Sequence, residues 1–169
     1  EQPGSMADII GLDEASLSEV CRKSDTCIAN INSPGQIVIS GAVDGVLKAM
    51  ELAKEQGAAK AIQLAVSGAF HSPLMAPAAD RLREALAGTT FGDPTVPVYC
   101  NVTGSAVRSA GDIPDLLVRQ LVSPVRWEES VRWLLGEGID QFYEVGPGRV
   151  LRGLLKRIDR GAPCANVMV

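Results

Sequence analysis

Between Met6 and Val66 the apolar residues switch from the alternation of a strand to the three-four spacing of a helix and back. The order of these switches constrains the fold more than any other feature of the chain. Met6–Gly11 reads as a strand. Asp13 then caps a helix that turns Leu17, Val20 and Cys21 inward, and Leu12 and Leu17 form a hydrophobic staple across the cap. Cys27–Asn32 alternates as a second strand, Ser33-Pro34-Gly35 is turn chemistry, and Gln36–Ser40 returns as a third. Asp44 is expected to cap a second helix with Val46, Leu47, Met50 and Ala53 on one face, stopped by Gly57. Ala61–Val66 is the fourth strand. The order β-α-β-β-α-β predicts a ferredoxin-like small domain over residues 1–66.

Residues 67–169 follow another plan. Ser72 and Pro73 start a helix with Leu74, Ala78, Leu82 and Leu86 stacked at four-residue spacing. Thr95–Cys100 reads as a strand, Ile113–Leu121 as a helix broken by Ser123-Pro124, and Trp127 to Leu135 as another helix. Gln141–Val145 is a strand entering Gly146-Pro147-Gly148, and a last helix carries Val150, Leu151, Leu154, Leu155 and Ile158. This is the alternation of an α/β layered domain with partner strands lacking.

A net charge of −4, with no basic stripe interleaved with aromatics, argues against nucleic acid as a partner. No apolar run nears the length of a membrane span. Cys21, Cys27, Cys100 and Cys164 have no metal-ligand spacing, so no metal site is expected, and they read as free thiols of a cytoplasmic protein.

Candidate chemistry centres on His71, the only histidine, at a strand-to-helix junction of the kind where α/β proteins place ligands. Histidine is the usual general base near neutral pH, although a lone histidine is more often structural. Asn30, Asn32 and Gln36 offer amides that could bind a carbonyl-rich ligand; their motif is equally what a hairpin turn contains. Gly146-Pro147-Gly148 has the make-up of a phosphate-binding loop or, more simply, of a tight turn. No Gly-x-Ser-x-Gly elbow occurs, so the chain has a base without an activated nucleophile.

Five motifs, in order along nearly the whole chain, resemble the C-terminal half of the malonyl-CoA–acyl carrier protein transacylases. They are Gly4–Leu12, Asn30–Gln36, Phe70–Met75, Val118–Leu121 with Pro124–Trp127, and Glu144–Gly148. The resemblance implies a partial α/β-hydrolase-like large domain, residues 67–169, joined to the ferredoxin-like unit. It implies His71 as the base of a Ser-His pair, oriented by the backbone carbonyl of Gln120, with Asn30, Asn32 and Gln36 near the substrate cleft. The implied partners are malonyl-CoA, as substrate, and acyl carrier protein, with no cofactor. The family's nucleophilic serine, oxyanion hole and malonate-binding arginine fall before residue 1, so this chain alone is expected to be inactive. The alternative is a non-catalytic binding or scaffold domain.

Overall fold

The computed structural model describes residues 3–169. Its first part is β1 (Gly4–Ile10), α1 (Glu14–Ser24), β2 (Thr26–Ser33), β3 (Gln36–Ala42), α2 (Val43–Glu55) and β4 (Lys60–Gln63). The strands form one sheet in the order β2-β3-β1-β4, antiparallel at every pairing. Alternation along β1 and β3 sends Ala7, Ile9, Ile37 and Ile39 to one face, where Leu17, Val20, Cys21, Val46, Ala49 and Ala53 cover them. Met6 and Val38 go to the other face, with Leu64 packed against them.

Local chemistry explains α1 well. The Asp13 carboxylate accepts from the Ser16 N–H at 2.7 Å, and Asp25 closes the helix in the left-handed region at φ 54°. The expectation for α2 needs two corrections. Ala42 occupies the cap position without a side-chain bond, and Asp44 lies inside the first turn, where its charge favours the helix dipole instead. Leu47 is 45% exposed and Ala49 is buried in its place, because Val46, Ala49 and Ala53 follow the spacing of one face and Leu47 is a residue off it. β4 also ends earlier than Val66. Leu64 N–H donates to Met6 O at 2.9 Å, and Val66 N–H then turns back onto Leu64 O.

The second part begins with a short 3₁₀ turn, Pro73–Met75, and α3 (Ala76–Leu86). A hairpin of β5 (Val98–Cys100) and β6 (Ser105–Val107) comes next, then α4 (Ile113–Val122), α5 (Trp127–Gly136), β7 (Phe142–Val145), α6 (Val150–Ile158) and β8 (Cys164–Val167). Neither β6 nor β8 was apparent from the sequence pattern; β8 pairs with β7 in parallel. In α3 only Ala79 is buried, and Leu74, expected on the inner stripe, lies outside the helix and is exposed.

The two parts are joined by backbone. The outer edge of β2 takes Val125 as a parallel partner: Ile31 N–H donates to Val125 O at 2.9 Å, and Val125 N–H donates to Ala29 O at 2.8 Å. α5 and α6 pack against the same strand. The whole is a mixed α/β fold. Among the described residues, no helix is long and apolar enough to cross a membrane.

Candidate active site

The histidine loop is seated against the start of β1. A Cβ on Gly4 would come within 2.3 Å of the Ala69 nitrogen, so glycine is required for this close approach. Ala69 is buried, and so is Ser72, whose hydroxyl donates to Ala69 O at 2.6 Å and accepts from the Leu74 N–H at 3.3 Å. Between them His71 adopts φ 59°, a left-handed conformation that costs a side-chain-bearing residue about 1–2 kcal/mol. Conformations of this kind persist only where surrounding contacts hold them.

The strongest of those contacts is to the ring. His71 Nδ1 lies 2.8 Å from the Gln120 carbonyl oxygen. A carbonyl only accepts, so Nδ1 carries the proton and the Nε2 of the neutral ring is left as an acceptor. The carbonyl is available for a local reason. In a continuing helix it would take the N–H four residues on, but that residue is Pro124, which has none. Ser123 leaves the helix in an extended conformation, and the Gln120 side chain folds over the break, donating to Ser123 O at 3.0 Å and Pro124 O at 3.4 Å. The Ser123-Pro124 pair therefore both ends α4 and frees the acceptor that orients His71.

Asn30 and Asn32 are half-buried on β2. Register shifts between Ile28 and Asn30 and between Ile31 and Ser33 interrupt the simple alternation expected of this pair. Asn30 lies opposite Val125, beside the turn that carries Gln120. Gln36 is engaged elsewhere: its Nε2 donates to Asp8 Oδ2 at 2.8 Å and its Oε1 accepts from Arg157 of α6. The structure thus brings His71 and Gln120 together, pairs Asn30 with Val125 after the Ser123-Pro124 turn, and ties Gln36 into a bridge between the sheet and α6.

The Asp8 end of that bridge is unusual. Burial raises its carboxyl above the ordinary 3.8, opposed by the Gln36 bond and the Arg157 charge, and Oδ1 is buried without a partner. A carboxyl whose folded pKa exceeds its unfolded one binds protons more tightly when folded. Its contribution is therefore lost as pH rises from 3.8 through the folded value. Asp8→Asn keeps an oxygen for Gln36 and removes the charge. We expect it to raise the urea midpoint near neutral pH, with the difference vanishing below 3.8.

Two further residues matter here whose roles the sequence patterns did not reveal. Cys27 reaches the His71 carbonyl from β2, at 3.8 Å. Glu144 accepts from the Leu151 and Arg152 N–H groups at 3.0 and 2.9 Å, which fills the start of α6 after Gly146-Pro147-Gly148. The glycine-rich segment is a tight turn, with Gly146 and Gly148 at φ 119° and 99°. Glu144 stands in the Glu144–Gly148 motif, but its capping role was not legible there, and nothing in the sequence pointed to Cys27.

A family model described as an acyl transferase domain matches residues 1–163. The chain belongs to the acyl transferase family. The match takes in the His71 loop, Gln120 and the Asn30–Gln36 turn of this acyl transferase chain. It is 49% identical over 162 residues to the malonyl CoA-acyl carrier protein transacylase of Bacillus subtilis, covering 93% of this chain and 51% of the relative. Identity to the Escherichia coli K12 transacylase is 46%, covering 94% and 52%. The acyl-carrier-protein-S-malonyltransferase of Bartonella henselae superposes with a TM-score of 0.94 at 40% identity, over 98% of this chain and 54% of that one. A malonyl-transacylase solved with its holo acyl carrier protein, from a type II polyketide system, superposes at 0.93 with 43% identity, over 100% and 55%. The chain thus spans about half the length of the curated relatives it matches.

Proposed function

We propose that this chain is the histidine-bearing half of a cytoplasmic [acyl-carrier-protein] S-malonyltransferase of fatty acid synthesis. The observation that carries the reading is the 2.8 Å contact from His71 Nδ1 to the Gln120 carbonyl, which leaves Nε2 as the acceptor a general base requires. A serine on the remaining length of the protein gives its proton to Nε2 as its oxygen attacks the malonyl thioester carbon. The carbon–sulfur bond breaks, and coenzyme A leaves as the thiol with the proton returned by His71. The pantetheine thiol of acyl carrier protein then gives its proton to the same nitrogen, attacks the malonyl ester, and the serine leaves reprotonated. Malonyl-CoA is a substrate, and no cofactor takes part.

Residues 1–66 are read as a ferredoxin-like small domain, a reading supported by the antiparallel order β2-β3-β1-β4. Residues 67–169 are read as part of an α/β-hydrolase-like domain, supported by the parallel β7–β8 pair bridged by α6. Asn30 and Asn32 are assigned to the cleft between them, with Gln36 at its far end as a strut. The test is to mix the full-length protein with malonyl-CoA and weigh it. The expected result is a malonyl adduct that water removes slowly and holo acyl carrier protein removes quickly; no adduct would leave the chain as a binding domain.

A further inference from the structure

Gln120 holds the ring of His71, and a different element holds its backbone. The single S–H of Cys27, half-buried on β2, is shared between two carbonyls, Ser40 O on the neighbouring strand at 3.5 Å and His71 O at 3.8 Å. Burial, with the nearby Cys21 thiol adding to it, pushes Cys27 up to about 11, so near neutral pH it remains a protonated donor. Further along, the same strand pairs with Val125 through Ala29 and Ile31. Val125 directly follows the Ser123-Pro124 turn to which the Gln120 side chain is tied. β2 therefore contacts the His71 loop through a thiol and, through backbone, the Val125 segment that follows the turn tied to Gln120. His71 needs such a contact because its left-handed backbone is not favoured on its own.

We propose that Cys27 is a positioning residue for His71: its thiol anchors the His71 carbonyl to β2 and so sets where the imidazole meets Gln120. The proposal rests on the reading of His71 as the base. It differs from a packing role in one respect that can be measured, namely that it requires a donor at position 27 rather than volume. Serine keeps a donor, whereas valine keeps the bulk and loses it.

The experiment compares Cys27→Ser, Cys27→Val and the smaller Cys27→Ala in the full-length protein. It reads kcat and KM for malonyl transfer and the ring signals of His71 in ¹⁵N-histidine-labelled protein, assigned by their loss in His71→Gln. The weak thiol bond predicts that valine and alanine each lower kcat by about five- to tenfold with KM for malonyl-CoA nearly unchanged. Serine is expected to stay within about twofold of the parent, and the His71 signals should move in the valine and alanine variants only. Alanine keeps the test open if valine fails to fold. Parental kcat or unmoved ring signals in the folded donor-less variants, or serine falling as far as they do, would overturn the proposal. If the parent protein transfers no malonyl group, the transferase reading fails, and the ring signals alone then decide whether Cys27 positions His71.

Discussion

On the proposed malonyltransferase reading, His71→Ala in the full-length protein is expected to lower malonyl transfer by about two to four orders of magnitude, the range that a positioned general base contributes. The loss should appear in kcat, and also in the rate at which malonyl-CoA labels the protein, because the serine proton then has no acceptor. Binding of malonyl-CoA should change little, since no assigned substrate contact runs through the ring. Gln120→Ala should cost far less, because the group that faces Nδ1 is a backbone carbonyl that alanine retains. Rapid-quench labelling with radioactive malonyl-CoA measures both variants. Labelling by His71→Ala at the parental rate would remove His71 from the mechanism. A Gln120→Ala defect equal to that of His71→Ala would shift the orienting role to the Gln120 side chain.

The second large effect concerns the chain by itself. We expect residues 1–169 alone to self-associate in dilute buffer, and co-expression with the remaining length of the protein to yield a discrete species instead. Parallel strands are normally covered on both faces, since isolated parallel pairing leaves apolar surface in water. Here β7 and β8 stand as a pair, with Tyr143 at 64% and Val145 at 65% exposure, and Val150 at the start of α6 at 72%. Val98 of the hairpin and Leu117 of α4 are exposed as well, around an apolar hollow of about 310 Å³ that also touches Gln120. Exposed apolar residues in this number favour association in water. The relatives are about twice as long as the part matched, which provides enough chain to cover them. Sedimentation velocity across a concentration series decides the matter: a monomer throughout would show that this surface is stable in water.

Much of the fold was legible before any coordinates. The first helix could be read from Asp13 to its buried face because a cap and an apolar stripe are local signals. The hairpin turn Ser33-Pro34-Gly35 was equally plain, with Gly35 in the left-handed region at φ 67°. Legibility fell where segments are short or their partners distant. β5 shrinks to Val98–Cys100, and β6 and β8 are brief strands whose pairing lies outside any local window. Leu47 shows the other limit: apolar residues at the flank of a stripe look like core until a sheet decides which face is covered.

The site divides in the same way. His71 stood out as the only histidine, at a strand-to-helix junction, and the family resemblance implied Gln120 as its partner. That Pro124 frees the Gln120 carbonyl follows from chain chemistry once the helix end is known. What remained out of reach was the setting: the left-handed backbone of His71, the Cys27 thiol at its carbonyl, and the engagement of Gln36 by Asp8 and Arg157. The order of strands and helices from β1 to β4, and the residue types fit for proton transfer, were determined by the sequence, because apolar period and side-chain chemistry are carried within a few neighbouring residues. The tertiary structure alone decided that an imidazole and a carbonyl 49 residues apart meet at 2.8 Å, because that distance depends on how one edge strand packs against both segments at once.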